Sequence, residues 1–410
     1  MCALFGNLFR KKNQDNNDYF NLFNNNTNQL RARQIIIDSI GKDLYTADDG
    51  LCIAPDDREK CLHVVIYGND DLLLHVARQI ALLCHFPNFD DATGKNRSLI
   101  TFVIPYRTDL NITTEQYLND TIDRFRTITG NLLIPGAACW ECSIVTNNFI
   151  QILSGSGEQN SFLDFEFSFV ALDDNISFSD YLQQKPINKN TVVTSLIYNG
   201  GLEVNNLQKY FGNRIFDIQS INLSSSQKVD VRRAKLVNVI YDYSSGLNMQ
   251  QVTDIENFYS NIKEYIRLSW NKIDSAWVEL ADSKELMLSN IFCADCFDVR
   301  LNCLSKNGIN DKNISKLLKK YVDELARSEH ARWNVEKYIL GYSHYTVEEM
   351  VEYGSMSDQE RKQYSKKKKN NKKHVDLCSY AELESRQRVD IKYDYFLILA
   401  MDKIIKRANK

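Results

Sequence analysis

The feature that most constrains the fold is a strand, a turn and an amphipathic segment that follow one another between residues 63 and 84. Residues 63–67 form a β-branched apolar run, residues 68–71 have turn composition, and residues 72–84 carry apolar side chains at helical spacing. Several further runs are apolar throughout, which is typical of parallel strands covered by helices on both faces. These runs lie at 99–104, 165–172, 191–198 and 214–218. The sequence therefore predicts an α/β fold with a parallel sheet.

The span 60–245 resembles the Rossmann-like TrkA-N domain of potassium-uptake regulators, which bind dinucleotides or nucleotides. Part of the resemblance lies in residues 169–175, with the sequence FVALDDN, because that family has a strand ending in acidic residues and Asn at this stage. The resemblance implies a cofactor that is a nucleotide or a dinucleotide. The contacts it would need are Gly68, Asn69, Arg107 and Asp173.

The glycine-rich fingerprint of dinucleotide-binding domains is incomplete in this chain. Of the three glycines in G-x-G-x-x-G, Gly68 is present, whereas Asp70 and Leu73 occupy the other two positions. Asp70 would place negative charge at the helix N-terminus, where a pyrophosphate normally binds. Two alternatives stay open, namely retained nucleotide binding and a degenerate nucleotide fold used for scaffolding or dimerisation.

A segment without Gly or Pro at residues 319–340 predicts one helix that ends at Gly341. Helical spacing divides its side chains into two faces. The predicted buried stripe consists of Ala331, Val335, Ile339 and Tyr342. The second face carries an imidazole, an indole, an amide and an ammonium group, from His330, Trp333, Asn334 and Lys337.

Residues 329–342 have the sequence EHARWNVEKYILGY, whose E-H-x-x-W-x-x-E-K-x-x-x-G-Y pattern resembles the RyR domain, a small helical repeat named after ryanodine receptors. The later sequence HVDLCSYAEL, at 374–383, matches the element that closes this repeat, although Val375 stands where the family commonly has proline. Single copies occur in bacterial and phage proteins, where they are suspected of sensing nucleotide second messengers in antiphage defence. The resemblance implies a small α-helical domain with this role.

The predicted ligand site combines stacking, charged and hydrogen-bonding side chains from both segments. Stacking on an aromatic ring contributes about 1–3 kcal/mol per base, and an adjacent cation adds charge recognition. The alternative is that Trp333 and His330 are core residues of a helical bundle. The predicted members are Trp333 with Tyr342 or Tyr380 for stacking, Arg332 and Lys337 for phosphate, and His330 and Asn334 for hydrogen bonds, with His374 in the same pocket.

At 410 residues the chain is long enough for two or three domains. We predict an Asn-rich leader with a short helix at 1–59, a Rossmann-like domain at 60–245, a helical connector at 246–318 and a small α-helical RyR-like domain at 319–410. A net charge of −3 argues against general binding to nucleic acids. Neither an apolar run of membrane-helix length nor a signal peptide's apolar core is found, so a cytoplasmic protein is expected.

The cysteines do not indicate a metal site. Cys139 and Cys142, like Cys293 and Cys296, have metal-ligand spacing, but each pair lacks the second pair of ligands that zinc needs. An inert, partly buried pair is the preferred interpretation of Cys139 and Cys142, with redox activity as the alternative. The basic run 366–369 is expected in a solvated loop.

The sequence favours a nucleotide sensor over an enzyme. The nucleophile-elbow, P-loop and zinc-protease motifs are missing, so no catalytic residue is predicted. One alternative is an NAD(P)-dependent or nucleotide-processing enzyme at the Rossmann-like site. Another is a structural oligomer without a ligand. A homo-oligomer, most simply a dimer, is expected in either the sensor or the structural case.

Overall fold

A computed structural model describes residues 26–44, 61–90, 93–106, 108–146, 150–155, 162–185, 192–221, 231–245, 255–280, 283–304, 309–310, 312–386 and 391–409. The first half contains, in order, α1 (Thr27–Gln34), a π-helical segment (Ile35–Ile40), α2 (Gly41–Leu44), β1 (Cys61–Tyr67), α3 (Asp71–Leu83), β2 (Ser98–Pro105), a 3₁₀ turn (Thr108–Leu110), α4 (Thr114–Thr129), β3 (Cys139–Val145), β4 (Ile150–Gly155), β5 (Phe165–Leu172), α5 (Phe178–Gln184), β6 (Val192–Tyr198), α6 (Gln208–Phe211) and β7 (Ile215–Asp217).

The regular elements among the described residues of the second half are helices apart from two short strands. It contains α7 (Arg232–Ser245), α8 (Ile255–Ile266), α9 (Trp270–Glu279), α10 (Lys284–Asp295), α11 (Phe297–Cys303), α12 (Ile314–Lys320), α13 (Val322–Ile339), β8 (Ser343–His344), α14 (Val347–Ser355), α15 (Asp358–Asn370), β9 (Lys373–His374), α16 (Tyr380–Ser385) and α17 (Ile391–Ala408).

The described strands of the first half form one seven-stranded sheet in the order β4-β3-β5-β2-β1-β6-β7. Every neighbouring pair is parallel except β3 and β4, which are antiparallel at one edge. The α/β prediction with a mostly parallel sheet is confirmed. Sequence reasoning missed β3 and β4, because an edge strand mixes polar and apolar residues and Ile152 points into solvent with 61% of its surface exposed.

The strand order creates a crevice at the carboxyl ends of β1 and β6. The chain leaves β1 to form β2 on one side and later returns to place β6 on the other side. In open α/β sheets a ligand generally binds at such a reversal of strand order. The predicted residues Gly68 and Asn69 lie there, directly after β1.

One hydrophobic core continues from the sheet into the helical half. It covers one sheet face with α3 and α4, and it includes buried side chains of α7, α10, α13 and α17. A second cluster covers the opposite face under α5 and α6. The helix expected near residues 30–40 lies within α1 and the π-helical segment, and it packs on α3. The boundaries proposed at 245 and 318 stay predictions, since this core is continuous across them.

The end of α13 is fixed to the turn after α4 by backbone contacts. Asn131 donates its backbone N–H to the Tyr338 carbonyl at 2.8 Å and its side-chain amide to the Gly341 carbonyl at 2.7 Å. Gly130, which makes this close approach possible, has φ of 58°. A Cβ at this position would lie 2.6 Å from the Tyr338 carbonyl oxygen.

We expect Gly130→Ala to lower the free energy of unfolding by about 1–3 kcal/mol, because it combines a left-handed backbone with a steric clash. Urea unfolding measures this loss. Gly212→Ala is the matched control, since Gly212 has φ of 60° and open space around its Cβ position. Equal losses in both variants would contradict the packing contact and leave backbone strain alone as the cause.

The Cys139 and Cys142 pair lies on β3 with both thiols buried. Side chains three residues apart on a strand point to opposite faces, so these two cannot bind one metal ion together. Within the described ranges, no group of three or more His, Cys, Asp or Glu side chains is placed to hold a metal. Each helix of that part of the chain is too short or too polar to cross a membrane.

Candidate functional site

The end of α13 places Tyr342 beside Lys337. The Gly341 N–H bonds to the Tyr338 carbonyl, and the Tyr342 N–H bonds to the Lys337 carbonyl, both at 2.9 Å. These two bonds form a Schellman motif, which requires a left-handed residue after the helix. Gly341 supplies it with φ of 83°. The predicted helix end at Gly341 is therefore confirmed, and its cap positions an aromatic ring. The prediction of one helix over 319–340 is wrong at its start, because Tyr321 separates α12 from α13.

Two short strands bring the second RyR-like segment to this helix end. β8 pairs in parallel with β9, in a register that aligns Ser343 with Lys373 and His344 with His374. The Ser343 N–H also donates to the Lys372 carbonyl at 2.8 Å. The residues between these two strands form a hairpin of two helices, α14 and α15. Lys372 and His374 thereby come to lie beside α13, although the sequence separates them from it.

Five side chains form what we call the Trp333 cluster: Trp333, Lys337, Tyr342, Lys372 and His374. The Lys337 ammonium nitrogen lies 5.7 Å from the Trp333 ring centroid and 5.8 Å from that of Tyr342. The Lys372 nitrogen lies 4.6 Å from the Tyr342 centroid. The His374 ring stands edge-on to Trp333, with centroids 4.9 Å apart. Trp333 and Tyr342 are half-buried and the Lys372 side chain is 43% exposed, whereas Lys337 and His374 are buried, so the cluster presents two aromatic rings and the Lys372 ammonium group to solvent.

Glu285, from the first turn of α10, completes one side of the cluster. The Tyr342 hydroxyl donates to its carboxylate at 3.1 Å, and the Lys372 ammonium forms an ion pair with the same group. Partial burial and the nearby Glu285 carboxylate raise the pKa of Tyr342 to about 12. Tyr342 is therefore a neutral hydrogen-bond donor throughout the physiological range.

The prediction for Arg332 as a phosphate contact is wrong, because its side chain is fully buried. Its guanidinium donates to Glu329 at 3.0 Å and to Glu336 at 2.6 Å. Glu329 also pairs with buried Arg300, and Glu336 pairs with Lys337 at 2.9 Å. Burial raises the pKa of both glutamates, but their cationic partners outweigh it and hold each pKa below the ordinary value. Arg332 therefore stabilises the helical core.

His330 and Asn334 are also buried, and both hold the segment that follows β9. The His330 Nε2 donates to the Cys378 carbonyl at 3.0 Å, and the Asn334 side-chain amide donates to the same oxygen at 2.9 Å. The four side chains of the predicted polar face are therefore neighbours in space, but those of His330, Asn334 and Lys337 are buried. The core interpretation is correct for His330, whereas half-buried Trp333 stays accessible.

Tyr380 packs against His330, which also contacts Trp333. Its ring is buried and packs edge-on against the imidazole, with centroids 5.8 Å apart. Together with His330 and Asn334 it lines a pocket against the sheet, whose other walls include Phe86, Phe162 and Arg327. No member of the Trp333 cluster is among the described residues that line this pocket. The predicted ligand residues thus divide into two groups.

His330 carries a positive charge at neutral pH in the folded chain. Burial favours the neutral imidazole, but Asp394, whose carboxylate lies 3.5 Å from Nδ1, and the Cys378 side chain outweigh it. Together they raise the pKa of His330 to about 10. The aromatic rings of Trp333 and Tyr380 cover the remaining sides.

We expect the wild-type free energy of unfolding to fall by about 1.5–3 kcal/mol between pH 7 and pH 10 relative to His330→Gln, the range for a charged hydrogen bond. A histidine whose pKa is raised on folding stabilises the chain fully below its unfolded pKa, near 6.5. This stabilisation is lost as pH rises through about 10. Urea unfolding at several pH values measures it, and identical pH profiles for both proteins would contradict the buried ion pair.

The sheet crevice already contains a carboxylate at the helix N-terminus. The Asp70 Oδ1 accepts the Leu73 N–H at 3.1 Å and caps α3, while Oδ2 accepts from the Asn199 amide at 3.2 Å. The Asn69 side chain bonds to Thr121 at 3.4 Å, and a Cβ on Gly68 would meet Leu73 at 2.8 Å. This end of α3 is therefore unfavourable for an anionic pyrophosphate.

Asp173 does not lie in that crevice. Asp173 follows β5, which is separated from β1 by β2. Two strand spacings place the ends of β1 and β5 about 10 Å apart. Arg107 lies outside the described residues. Gly68 and Asn69 are thus separated from Asp173 along the sheet edge, and Asn199 is the neighbour of Gly68 that sequence reasoning missed.

Searches of protein-family models, curated proteins and solved structures returned no match for this chain. The resemblances to the RyR and TrkA-N domains therefore stay predictions.

Lys372 was considered only as an extension of the basic run, which was weighed as a contact for a phosphate-rich ligand, and Glu285 was missed. Lys372 lies two residues before the second RyR-like segment, and that position was a usable signal. Glu285 lies 57 residues before Tyr342 and has no local signature. The basic run 366–369 was expected in a loop, but it lies near the C-terminal end of exposed α15. Lysine is a good helix former, and its positive charge interacts favourably with the negative end of the helix dipole.

Proposed function

We propose that this protein senses a nucleotide-derived ligand at the Trp333 cluster. The observation that carries the proposal is the placement of two ammonium groups against two half-accessible aromatic rings. A base stacks on such a ring, and a cation beside it attracts phosphate. The RyR-like resemblance adds antiphage defence as the setting, and we place the protein in the cytoplasm.

The charge balance of the buried network supports an anionic ligand. Among the described residues, three cations, Arg300, Arg332 and Lys337, share two carboxylates, Glu329 and Glu336. One positive charge is left over, and Lys337 is the member that faces the cluster. The low dielectric of the core strengthens the field of this charge at the site.

The route from ligand to output runs through helix packing. The helix that carries Trp333 and Lys337, α13, packs on α10, on α17 and on the sheet helix α3. A ligand that prefers one arrangement of these helices would shift conformation or assembly by its difference in affinity for the two states. We place the regulated step in the pairing of chains into a homo-oligomer, most simply a dimer.

A thermal-shift screen of the purified chain tests the proposal. The panel contains NAD, ADP-ribose, cyclic mono- and dinucleotides and linear adenylates. A ligand at a hundredfold excess over its Kd stabilises the folded state by about 2.7 kcal/mol. Light scattering of the same samples measures assembly.

The proposed function predicts a shift with at least one nucleotide that is reduced in Lys372→Ala. A shift that is unchanged in this variant but lost in Asn69→Ala would favour binding in the sheet crevice, as an NAD(P)-dependent or nucleotide-processing enzyme requires. A stable oligomer with no shift for any nucleotide would favour the structural alternative.

A further inference from the structure

We propose that Glu285 determines the specificity of the Trp333 cluster, because its carboxylate occupies the position that a ligand phosphate takes between Lys372 and Tyr342. The inference rests on the proposed function. It makes the ligand a nucleoside carrying an anionic phosphate rather than a neutral nucleoside, since displacement of Glu285 requires a competing anion.

The donors around Glu285 are the ones that a phosphate uses. The Tyr342 hydroxyl donates to Oε2 at 3.1 Å, and the Lys372 ammonium pairs with Oε1. The Lys372 nitrogen also lies 4.6 Å from the Tyr342 ring centroid, so phenol and ammonium converge on one carboxylate. Phosphate oxygens accept hydrogen bonds from the same combination of a hydroxyl and a cation.

Exposure makes this carboxylate exchangeable, in contrast to the others near the cluster. The side chains of Glu285 and Lys372 are 41% and 43% exposed, so their ion pair is screened and weak. Glu336, which pairs with Lys337, is fully buried and accepts a further bond from Ser289 at 2.9 Å. An incoming phosphate can therefore replace Glu285 on Lys372, whereas it cannot replace Glu336 on Lys337.

The rest of α10 stays anchored when Glu285 moves. Ser289, one turn further along, bonds to Glu336 of α13, and Asp295 at the helix end pairs with Arg33 of α1, with 2.8 Å between the Arg33 Nε and Oδ2. Displacement is then a rotation of one side chain, which costs little. The bases of ligands stack on the rings of Trp333 or Tyr342 whether or not Glu285 moves, so a neutral nucleoside leaves the ion pair intact.

Calorimetric titration of the full chain with AMP and with adenosine tests the inference. Glu285→Gln keeps an acceptor for the Tyr342 hydroxyl but removes the competing charge. We expect it to strengthen AMP binding about two- to fivefold, the range of an exposed ion pair, and to leave adenosine binding unchanged. Glu348→Gln is the control for net charge, because Glu348 is exposed on α14, outside the cluster.

A double-mutant cycle then identifies the partner. In a Lys372→Ala background, Glu285→Gln should leave AMP affinity unchanged, because the competition takes place on Lys372. Unchanged AMP affinity in Glu285→Gln, or an equal gain for adenosine, would overturn the inference while leaving the proposed function intact. Failure of AMP to bind either protein, while another nucleotide shifts melting, also overturns it. Failure of every nucleotide removes the proposed function as well.

Discussion

Replacing Arg332 with methionine is expected to lower the free energy of unfolding by about 3–5 kcal/mol, because it removes the buried cation that bonds to both Glu329 and Glu336. Arg332 is fully buried and pairs with Glu329 and Glu336, which are themselves fully buried. Without it, Glu329 retains Arg300 and Glu336 retains Lys337 at the edge of the core. Urea unfolding at pH 7 measures the loss, and the melting temperature provides an independent check.

A second variant separates loss of the ion pairs from loss of packing. Arg332→Met combined with Glu336→Leu also removes the fully buried carboxylate that Arg332 partnered, so that Arg300 and Glu329 remain paired and Lys337, at the edge of the core, loses its partner. Buried ion pairs replaced entirely by apolar groups are often neutral in stability. The double variant should therefore be more stable than Arg332→Met alone. A loss of less than about 1 kcal/mol in the single variant would contradict the burial of this network, since exposed pairs contribute only that much.

Trp333→Ala is expected to weaken nucleotide binding by about 10- to 100-fold, because it removes a stacking surface that contributes about 1–3 kcal/mol per base. The effect on folding should be small, since the indole is half-buried and its ring contacts include His330 and His374 at the edge of the core. Affinity is measured by titration with whichever nucleotide shifts melting, and stability is measured by urea unfolding of the same samples.

Two controls make this result specific. Trp333→Phe retains an aromatic face and should recover most of the affinity. Trp270→Ala removes another half-buried indole, packed under Arg407 with 5.3 Å between the guanidinium carbon and the ring centroid, and should leave binding unchanged. If Trp333→Ala loses stability by several kcal/mol and Trp333→Phe does not restore binding, Trp333 is a core residue and the site lies elsewhere.

The sequence was sufficient for the elements that local patterns specify. The apolar runs predicted five strands of the parallel sheet, and the Gly341 signal predicted the end of α13. Helical spacing also placed Trp333 and Lys337 on neighbouring positions, and the structure has them in contact. Side chains repeat every two residues in a strand and every 3.6 residues in a helix. This spacing depends on one segment only, so it can be read directly from the sequence.

Burial of the polar face was decided by tertiary structure alone. Helical spacing gives the angle of each side chain around α13, but it does not tell which sides other elements cover. Arg300 and the segment around Cys378 come from outside that helix, and they turn Arg332, His330 and Asn334 into core residues. We predicted ligand contacts for these three residues because their side chains are polar, whereas the groups that they bind are buried groups of the same chain.

The sequence by itself determined the α/β sheet, the helix ending at Gly341 and the aromatic and cationic groups available on that helix. Tertiary structure decided which of those groups stay accessible and which distant residues join them, namely Lys372, His374 and Glu285. The physical reason is that secondary structure follows from local spacing, whereas burial and long-range pairing depend on how complete elements pack. Local spacing can be read directly from a single sequence, whereas burial and long-range pairing are seen only in the folded chain.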